Sequence, residues 1–138
     1  MANANGNSTT AIGGESNANG LAATAFGWQS NAVGERAHAM GHLANAEGDR
    51  TLAVGEAANA VGLEATAVGN QASATGVDAT ASDTTAHANG NSTTAIGGDS
   101  NENGLAATAC GWQTNAVGER AQAMRQLAQA KGTKTNAV

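Results

Sequence analysis

A glycine recurs every seven residues along almost the whole chain, and this spacing constrains the fold more than any other feature. The glycine ladder continues in phase from Gly6 to Gly132 and is interrupted only at Asp83 and Arg125. The residue two positions before each ladder position is Ala, except at Glu102, and the residue four positions before is Ala, Ser or Thr. A repeat of this kind decides the fold class before any local pattern is considered.

Three familiar repeat architectures do not fit this spacing. A coiled coil needs two apolar positions per heptad and loses about 1 kcal/mol for each interior Gly. A collagen helix needs Gly at every third residue and abundant Pro, and this chain has no Pro. The calcium-binding nonapeptide roll needs Asp at fixed places in a longer repeat. What remains is a short strand followed by a turn, in which Gly supplies the positive φ of a sharp turn.

Two kinds of seven alternate, so the true repeat has fourteen residues. In one kind an apolar residue mostly precedes the glycine, as at Ile12 and Phe26, whereas Asn5 and Asn19 illustrate the other kind. Because side chains alternate along a strand, the small residues of each strand share one inward face. The pattern predicts an all-β, parallel β-roll (solenoid) of about ten 14-residue coils, with an interior too narrow for Leu or Phe. At ~4.8 Å per coil the rod would be roughly 50 Å long.

Composition excludes several other classes of protein. A chain rich in Ala, Asn and Gly with 2% aromatic residues would ordinarily be predicted to be disordered, but disorder requires no such strict phase. The net charge of −5 with six Lys and Arg gives no basic stripe, so we expect no nucleic acid partner and no attraction to anionic membranes. No transmembrane span or signal peptide is visible, and we expect no direct membrane insertion by this segment.

The chain contains an internal duplication. Residues 4–48 recur as residues 88–132, an offset of eighty-four residues or six coils. Duplication in whole coils keeps every side chain in its column, so residues 1–138 are expected to form a single domain. Ser82 and Asp83 interrupt the pattern near the junction. They predict either a local irregularity at 80–86, such as an opened turn, or an Asp that adopts left-handed backbone geometry.

One strand of each coil carries an outward row that is largely apolar, which we call the apolar stripe. A continuous stripe exceeds the apolar surface that soluble monomers normally expose, so it predicts an interface that closed symmetry buries on every copy. Sequence physics alone does not choose two, three or four copies. The expected interface residues are Thr10, Ile12, Thr24, Phe26, His38, Met40, Leu52, Val54, Thr66, Val68, Ile96, Cys110 and Met124.

Two residues of the stripe have an alternative chemical interpretation. Cys110 stands in the column of Phe26, which favours a buried thiol that fills space over a reactive one. Copies of His38 would meet in an oligomer and could bind an anion or a metal. Because the equivalent residue of the duplicate is Gln122, a hydrated polar side chain is the better interpretation.

Trp28 and Trp112 occupy the first turn position after Gly in equivalent coils. Interface hot spots favour Trp, so both are candidate ligand-binding residues; the alternative is that each indole covers a neighbouring coil or subunit. His42 and His87 are expected on turns or the surface. A thin rod filled with Ala offers no concave site for a positioned acid, base or nucleophile, so we expect no enzyme activity, catalytic residue, cofactor or metal.

The unit Ser/Thr-x-Ala-Ile/Val-Gly-x-x, doubled to fourteen residues, resembles the head repeat of the trimeric autotransporter adhesins of Gram-negative bacteria, the YadA-like heads. The resemblance covers nearly the whole chain. It implies a left-handed roll, a homotrimer around one axis and a module displayed on the cell surface. That module would adhere to host cells, extracellular matrix or other bacteria, as virulence factors and haemagglutinins do. It also implies anchoring in the outer membrane through a C-terminal barrel beyond this segment.

Two other functions stay open. A rank of Thr on a narrow β-roll can order water, as in ice-binding solenoids, but here the rank shares its face with Ile, Phe and Val, which argues that it is buried. The chain could also be a passive spacer of a surface fibre, and the sequence does not separate a spacer from an adhesive head. The Thr rank comprises Thr10, Thr24, Thr66, Thr80, Thr94 and Thr108.

Overall fold

The computed structural model describes residues 1–138, and every regular element in it is a short β-strand. Strands of two residues alternate with strands of three from β1 to β19, and the last strand, β20, has two residues. In chain order they are β1 (Asn3–Ala4), β2 (Thr10–Ile12), β3 (Asn17–Ala18), β4 (Thr24–Phe26), β5 (Asn31–Ala32), β6 (His38–Met40), β7 (Asn45–Ala46), β8 (Leu52–Val54), β9 (Asn59–Ala60), β10 (Thr66–Val68), β11 (Ser73–Ala74), β12 (Thr80–Ser82), β13 (His87–Ala88), β14 (Thr94–Ile96), β15 (Asn101–Glu102), β16 (Thr108–Cys110), β17 (Asn115–Ala116), β18 (Gln122–Met124), β19 (Gln129–Ala130) and β20 (Asn136–Ala137).

The strands form two parallel sheets of ten strands each. Odd-numbered strands make one sheet and even-numbered strands the other, each in chain order. Every pairing joins residues fourteen apart, as Ala67 pairs with Ala53 on one side and Ala81 on the other. Each fourteen-residue coil therefore contributes one strand to each sheet, which confirms the predicted parallel β-solenoid of about ten coils. The structure contains no helix long and apolar enough to cross a membrane.

Alanine side chains fill the space between the two sheets. The inward columns of both sheets are fully buried over most of the rod, as at Ala67 and Ala74. Ser or Thr replaces Ala at several positions four residues before a ladder residue. Its hydroxyl usually donates to the carbonyl of the ladder glycine three residues earlier. Thr51 Oγ1 donates to the Gly48 carbonyl at 2.7 Å. A small polar side chain is thus accepted inside because its donor is satisfied.

The ladder glycines serve the close stacking of coils more than the turn itself. A Cβ built on Gly48 would lie 2.5 Å from the carbonyl oxygen of Gly62 in the next coil. Glycines that follow the three-residue strands also have positive φ, for example 124° at Gly13. Those that follow the two-residue strands do not, so the prediction that Gly supplies positive φ at every turn is wrong for half of the ladder.

The left-handed position of each turn is instead held by ordinary residues two places after the ladder. Leu43 has a φ of 60° and Arg50 a φ of 58°, a conformation that is uncommon for residues with a Cβ. Each is held there by its neighbours: the Leu43 N–H donates to the Trp28 carbonyl at 3.0 Å and the Arg50 N–H donates to the Glu35 carbonyl at 2.7 Å. Coil stacking therefore fixes the turn conformation.

Asp83 does not open the coil at the junction of the duplicated segments. Its φ is 107°, its N–H donates to the Val68 carbonyl at 2.8 Å, and its Oδ1 accepts the Thr84 N–H at 2.7 Å. The opened turn that was one expectation for 80–86 is therefore absent, because Asp adopts the glycine conformation and bonds its own turn. Arg125 behaves likewise, with a φ of 131°.

Ala67→Leu should destabilise the protein strongly. The new side chain would enter a fully buried column between Ala53 and Ala81, and overpacking of this kind should lower the free energy of unfolding by about 3 kcal/mol. Chemical denaturation measures the loss. Asn17→Ala, on the outer face, should lose only about 1 kcal/mol, and equal losses would show that the two faces are assigned wrongly.

Gly48→Ala should also destabilise the rod, by at least ~2 kcal/mol, since its Cβ would meet backbone of the next coil that cannot retreat. Gly14→Ala is the matched control: its Cβ would meet only the Trp28 indole, 2.8 Å from Cδ1. A side chain can rotate away, so this variant should lose much less in the same denaturation experiment. A harmless Gly48→Ala would contradict the role given to close coil stacking.

Candidate interaction surfaces

The apolar stripe lies in register on the outer face of the sheet of even-numbered strands. Phe26 pairs with Ile12 on one side and Met40 on the other. In the single chain these three side chains remain 52% (Ile12), 54% (Phe26) and 40% (Met40) exposed. The register therefore places large apolar side chains side by side, and nothing within one chain covers them. Such an exposed apolar surface indicates an interaction site.

Several stripe positions differ from a uniformly apolar row. Half-buried Ser82 stands between Val68 and Ile96 and interrupts the large side chains. Half-buried His38 lies between Thr24 and Leu52.

The thiol of Cys110 is free and exposed in the single chain, where a buried thiol was expected from its apolar column. The reason is that the outer face of this sheet has no cover within one chain. Burial of Cys110 therefore requires a second molecule.

Exposed apolar side chains are not confined to the stripe, which sequence reasoning missed. A second row lies on the turns that follow the two-residue strands, and Val33 and Val117 are exposed on the outer face of the odd-numbered sheet. The turn row comprises Leu21, Leu63, Val77 and Leu105. Its signal in the sequence is the position directly after alternate ladder glycines, where Leu21 and Leu105 occupy equivalent places in the duplicated segments.

Trp28 lies at one end of a short chain of contacts along a turn edge. Its ring stacks on His42 with centroids 5.0 Å apart and planes inclined by 25°. His42 Nδ1 lies 3.5 Å from Glu56 Oε1, and Asn70 Nδ2 donates to Glu56 Oε2 at 3.2 Å. On the other side the indole lies against Gly14, where a Cβ would meet Cδ1 at 2.8 Å.

Trp112 repeats half of this arrangement. It lies against Gly98, where a Cβ would meet indole Cδ1 at 3.1 Å, but Gln126 stands where His42 stands in the first copy. Gly14 and Gly98 are the two glycines outside the ladder, and each precedes a Trp by fourteen residues. This spacing is the sequence signal from which the contacts between the indoles and these glycines could have been predicted. Each indole covers the preceding coil yet stays 49% exposed.

Asparagine side chains form a ladder on the outer face of the odd-numbered sheet. Asn3 donates to Asn17 at 3.3 Å, Asn17 to Asn31 at 2.8 Å, Asn31 to Asn45 at 2.9 Å and Asn45 to Asn59 at 2.9 Å. Each amide thus donates to the next coil, and all point the same way along the rod. This polar face contrasts with the stripe on the opposite sheet.

Charged side chains of opposite sign lie near one another within two of the turns. Arg36 Nε lies 3.7 Å from Glu35 Oε1, and Arg120 Nε lies 3.9 Å from Glu119 Oε1. Their side chains are exposed, so each pair contributes only ~0–1 kcal/mol. The surface has no cavity and no cluster of three or more His, Cys, Asp or Glu side chains placed to hold a metal ion.

Glu102 is the one ionisable side chain inside the rod. It replaces Ala in the inward column of the odd-numbered sheet and is fully buried. Neither carboxyl oxygen has a hydrogen-bond partner. Burial raises the pKa of this carboxyl from 4.5 to about 9, and the nearby backbone of Ala109 lowers it in part. In the sequence Glu102 stands out only as the exception in the Ala column, and no role was predicted for it.

The repeat of this chain matches a known protein family. A family model described as the YadA head domain repeat matches residues 4–30, 32–58 and 60–82. Together these segments make up more than half of the chain, and the last of them ends directly before Asp83. No curated protein matches the chain.

Proposed function

Because the chain belongs to the family of YadA head repeats, we propose that it is an adhesive head segment of a homotrimeric autotransporter on the surface of a Gram-negative bacterium. The family supports an adhesin head region with a structural and adhesive role rather than an enzymatic one. The trimer, the left-handed coil, the host ligand and the anchoring in the outer membrane through a C-terminal barrel are the finer parts of the proposal.

The apolar stripe is the observation that supports the trimer most directly. The same in-register row exists on every copy, so rotation about a single axis would bury it on all copies at once. Three chains then pack their even-numbered sheets inward, with Cys110 and His38 near the axis. The Thr rank shares this face, and its burial there argues against ice binding.

The rest of the rod surface stays open for ligands in this arrangement. The Asn ladder, the turn charges and the two indoles are outside the stripe. Trp is enriched among interface hot spots, and Trp28 and Trp112 are large, exposed side chains that each lie against a glycine of the preceding coil. We propose them as candidate contacts with extracellular matrix or cell-surface receptors. Three copies of each would convert weak contacts into avidity.

Val68→Asp should dissociate the trimer. Val68 is 37% exposed in the single chain, and three carboxylates near one axis repel one another and resist desolvation. Sedimentation equilibrium should change from the mass of three chains to that of one. Val33→Asp is the matched control, since Val33 is 42% exposed on the opposite sheet and should leave the mass unchanged.

A wild-type protein that is folded but monomeric would contradict the trimer. It would also leave the Thr rank open to water, and thermal hysteresis of that monomer would make ice binding the better proposal.

Trp28→Ala and Trp112→Ala together should weaken binding of the trimer to immobilised collagen, fibronectin or laminin, or to epithelial cells. We expect at least a tenfold loss of affinity, because truncation of a hot-spot residue costs about 2 kcal/mol or more. A tenfold change in affinity corresponds to about 1.4 kcal/mol. Gln126→Ala is the control, since Gln126 shares their turn column without a ring. Binding of the wild type to none of these surfaces would favour a passive spacer.

A further inference from the structure

The coil that carries Glu102 differs from its duplicate in the side chain that fills its interior. Glu102 and Ala18 occupy equivalent positions eighty-four residues apart, and both are fully buried. The alanine core is continuous from Ala18 to Ala95 and begins again as a separate cluster at Ala107. The carboxyl group therefore interrupts the core at one defined coil.

Hydrogen bonds around this coil are weakened in the same place. Outside the strands, backbone bonds between successive coils measure 2.7 to 3.0 Å, except two. The Asp99 N–H lies 3.2 Å from the Thr84 carbonyl and the Asn103 N–H lies 3.3 Å from the Ala116 carbonyl. Both exceptions belong to the coil of Glu102. Other bonds of this coil keep ordinary lengths, as from the Asn101 N–H to the Thr114 carbonyl at 2.9 Å, so the lengthening is local.

Polar groups inside this coil are also left without partners. Ser16 Oγ donates to the Gly13 carbonyl at 3.0 Å in the first copy, whereas the equivalent Ser100 Oγ is buried with no partner. Asn115 Oδ1 in the next coil is unpartnered as well. Unsatisfied buried polar groups are rare in folded proteins, and those of this chain all belong to the Glu102 coil or to the next one.

From this geometry we infer that the coil of residues 97–111 is a proton-dependent breakpoint, which stays closed while Glu102 is a neutral acid and opens when Glu102 loses its proton. Opening separates the C-terminal coils from the rest of the rod. The neutral acid tolerates an apolar interior, whereas the carboxylate would be a buried, unpaired charge.

No other ionisable group inside the rod shares this role. The inward neighbours of Glu102 are Ala88 and Ala116 on the adjacent strands and Ala95 and Ala109 on the facing sheet, all fully buried. Ionisable groups on the surrounding elements all lie on the exterior: His87 on β13, Cys110 on β16 and Asp99 in the preceding turn are exposed.

The direction of the pH dependence follows from the folded and open states. In the closed coil the pKa of Glu102 is about 9, so its carboxyl group keeps the proton up to that pH. In an open coil the carboxyl group has its ordinary pKa of 4.5 and loses the proton above that pH. Opening therefore releases a proton between these two values. The opening constant should rise by up to ~10-fold per pH unit in that window and level off above it.

Hydrogen exchange of the full chain, followed by mass spectrometry, tests this inference. Peptides from 97–111 should lose protection relative to Glu102→Gln by up to ~100-fold between pH 6 and pH 8, since the amide cannot lose a proton. Glu102→Gln retains His87 and Cys110, so it also controls for their titration. Glu102→Ala restores the Ala column and should protect 97–111 as well as its duplicate 13–27.

The result that overturns the inference is an equal pH response of wild type and Glu102→Gln in 97–111. An equal loss of protection in 13–27 and 97–111 would overturn it too, because the opening would then not be local. Ala18→Glu should transfer the behaviour to 13–27. If that variant folds and 13–27 stays independent of pH, the inference also fails; if it does not fold, the comparison of wild type with Glu102→Gln decides alone.

Discussion

Close contact between successive coils is the constraint on which the rest of this structure depends. A backbone that approaches the next coil as closely as Gly48 approaches Gly62 leaves no room for a Cβ. Across the rod, the Ala columns of both sheets fill the interior and keep it narrow. Hydrogen bonds to the preceding coil hold residues such as Leu43 in left-handed turns. Ladder and turn conformation are therefore two results of one spacing along the rod, and the Ala columns set its width.

The fold could be predicted from the sequence because this spacing is written in every coil. Period, Ala columns and strand faces each follow from residues that recur in phase, and the structure agrees with them at nearly every position. The conformation of individual glycines was harder to predict. A sequence shows that Gly is required but not whether positive φ or close approach requires it, as the contrast between Gly13 and Gly48 demonstrates.

The surfaces could be predicted only in part. The stripe was identifiable because its column alternates with a polar one. The turn row of Leu21 and Leu105 was harder to identify, because Glu35, Asp49 and Asn91 occupy the same column. The stacking of Trp28 on His42 depends on ring orientation, which spacing does not specify. At Asp83 the sequence left two outcomes open, an opened turn or an Asp with left-handed backbone geometry, because Asp is compatible with both. Glu102 could be identified from the sequence as the exception in the Ala column. Only the structure shows that both of its carboxyl oxygens are buried without a hydrogen-bond partner.

The parallel register described above also has a mechanical meaning. Strands lie across the rod, so the hydrogen bonds between coils run along its length, and so do the amides of the Asn ladder. Tension applied along such a rod loads the contacts between successive coils in series, and every junction carries the same force. Its strength in tension is then set by the weakest junction, not by the average. If Glu102 weakens its coil as inferred above, that junction in a single chain is where the core alanines are interrupted. Lateral packing against other chains would then carry the load past it.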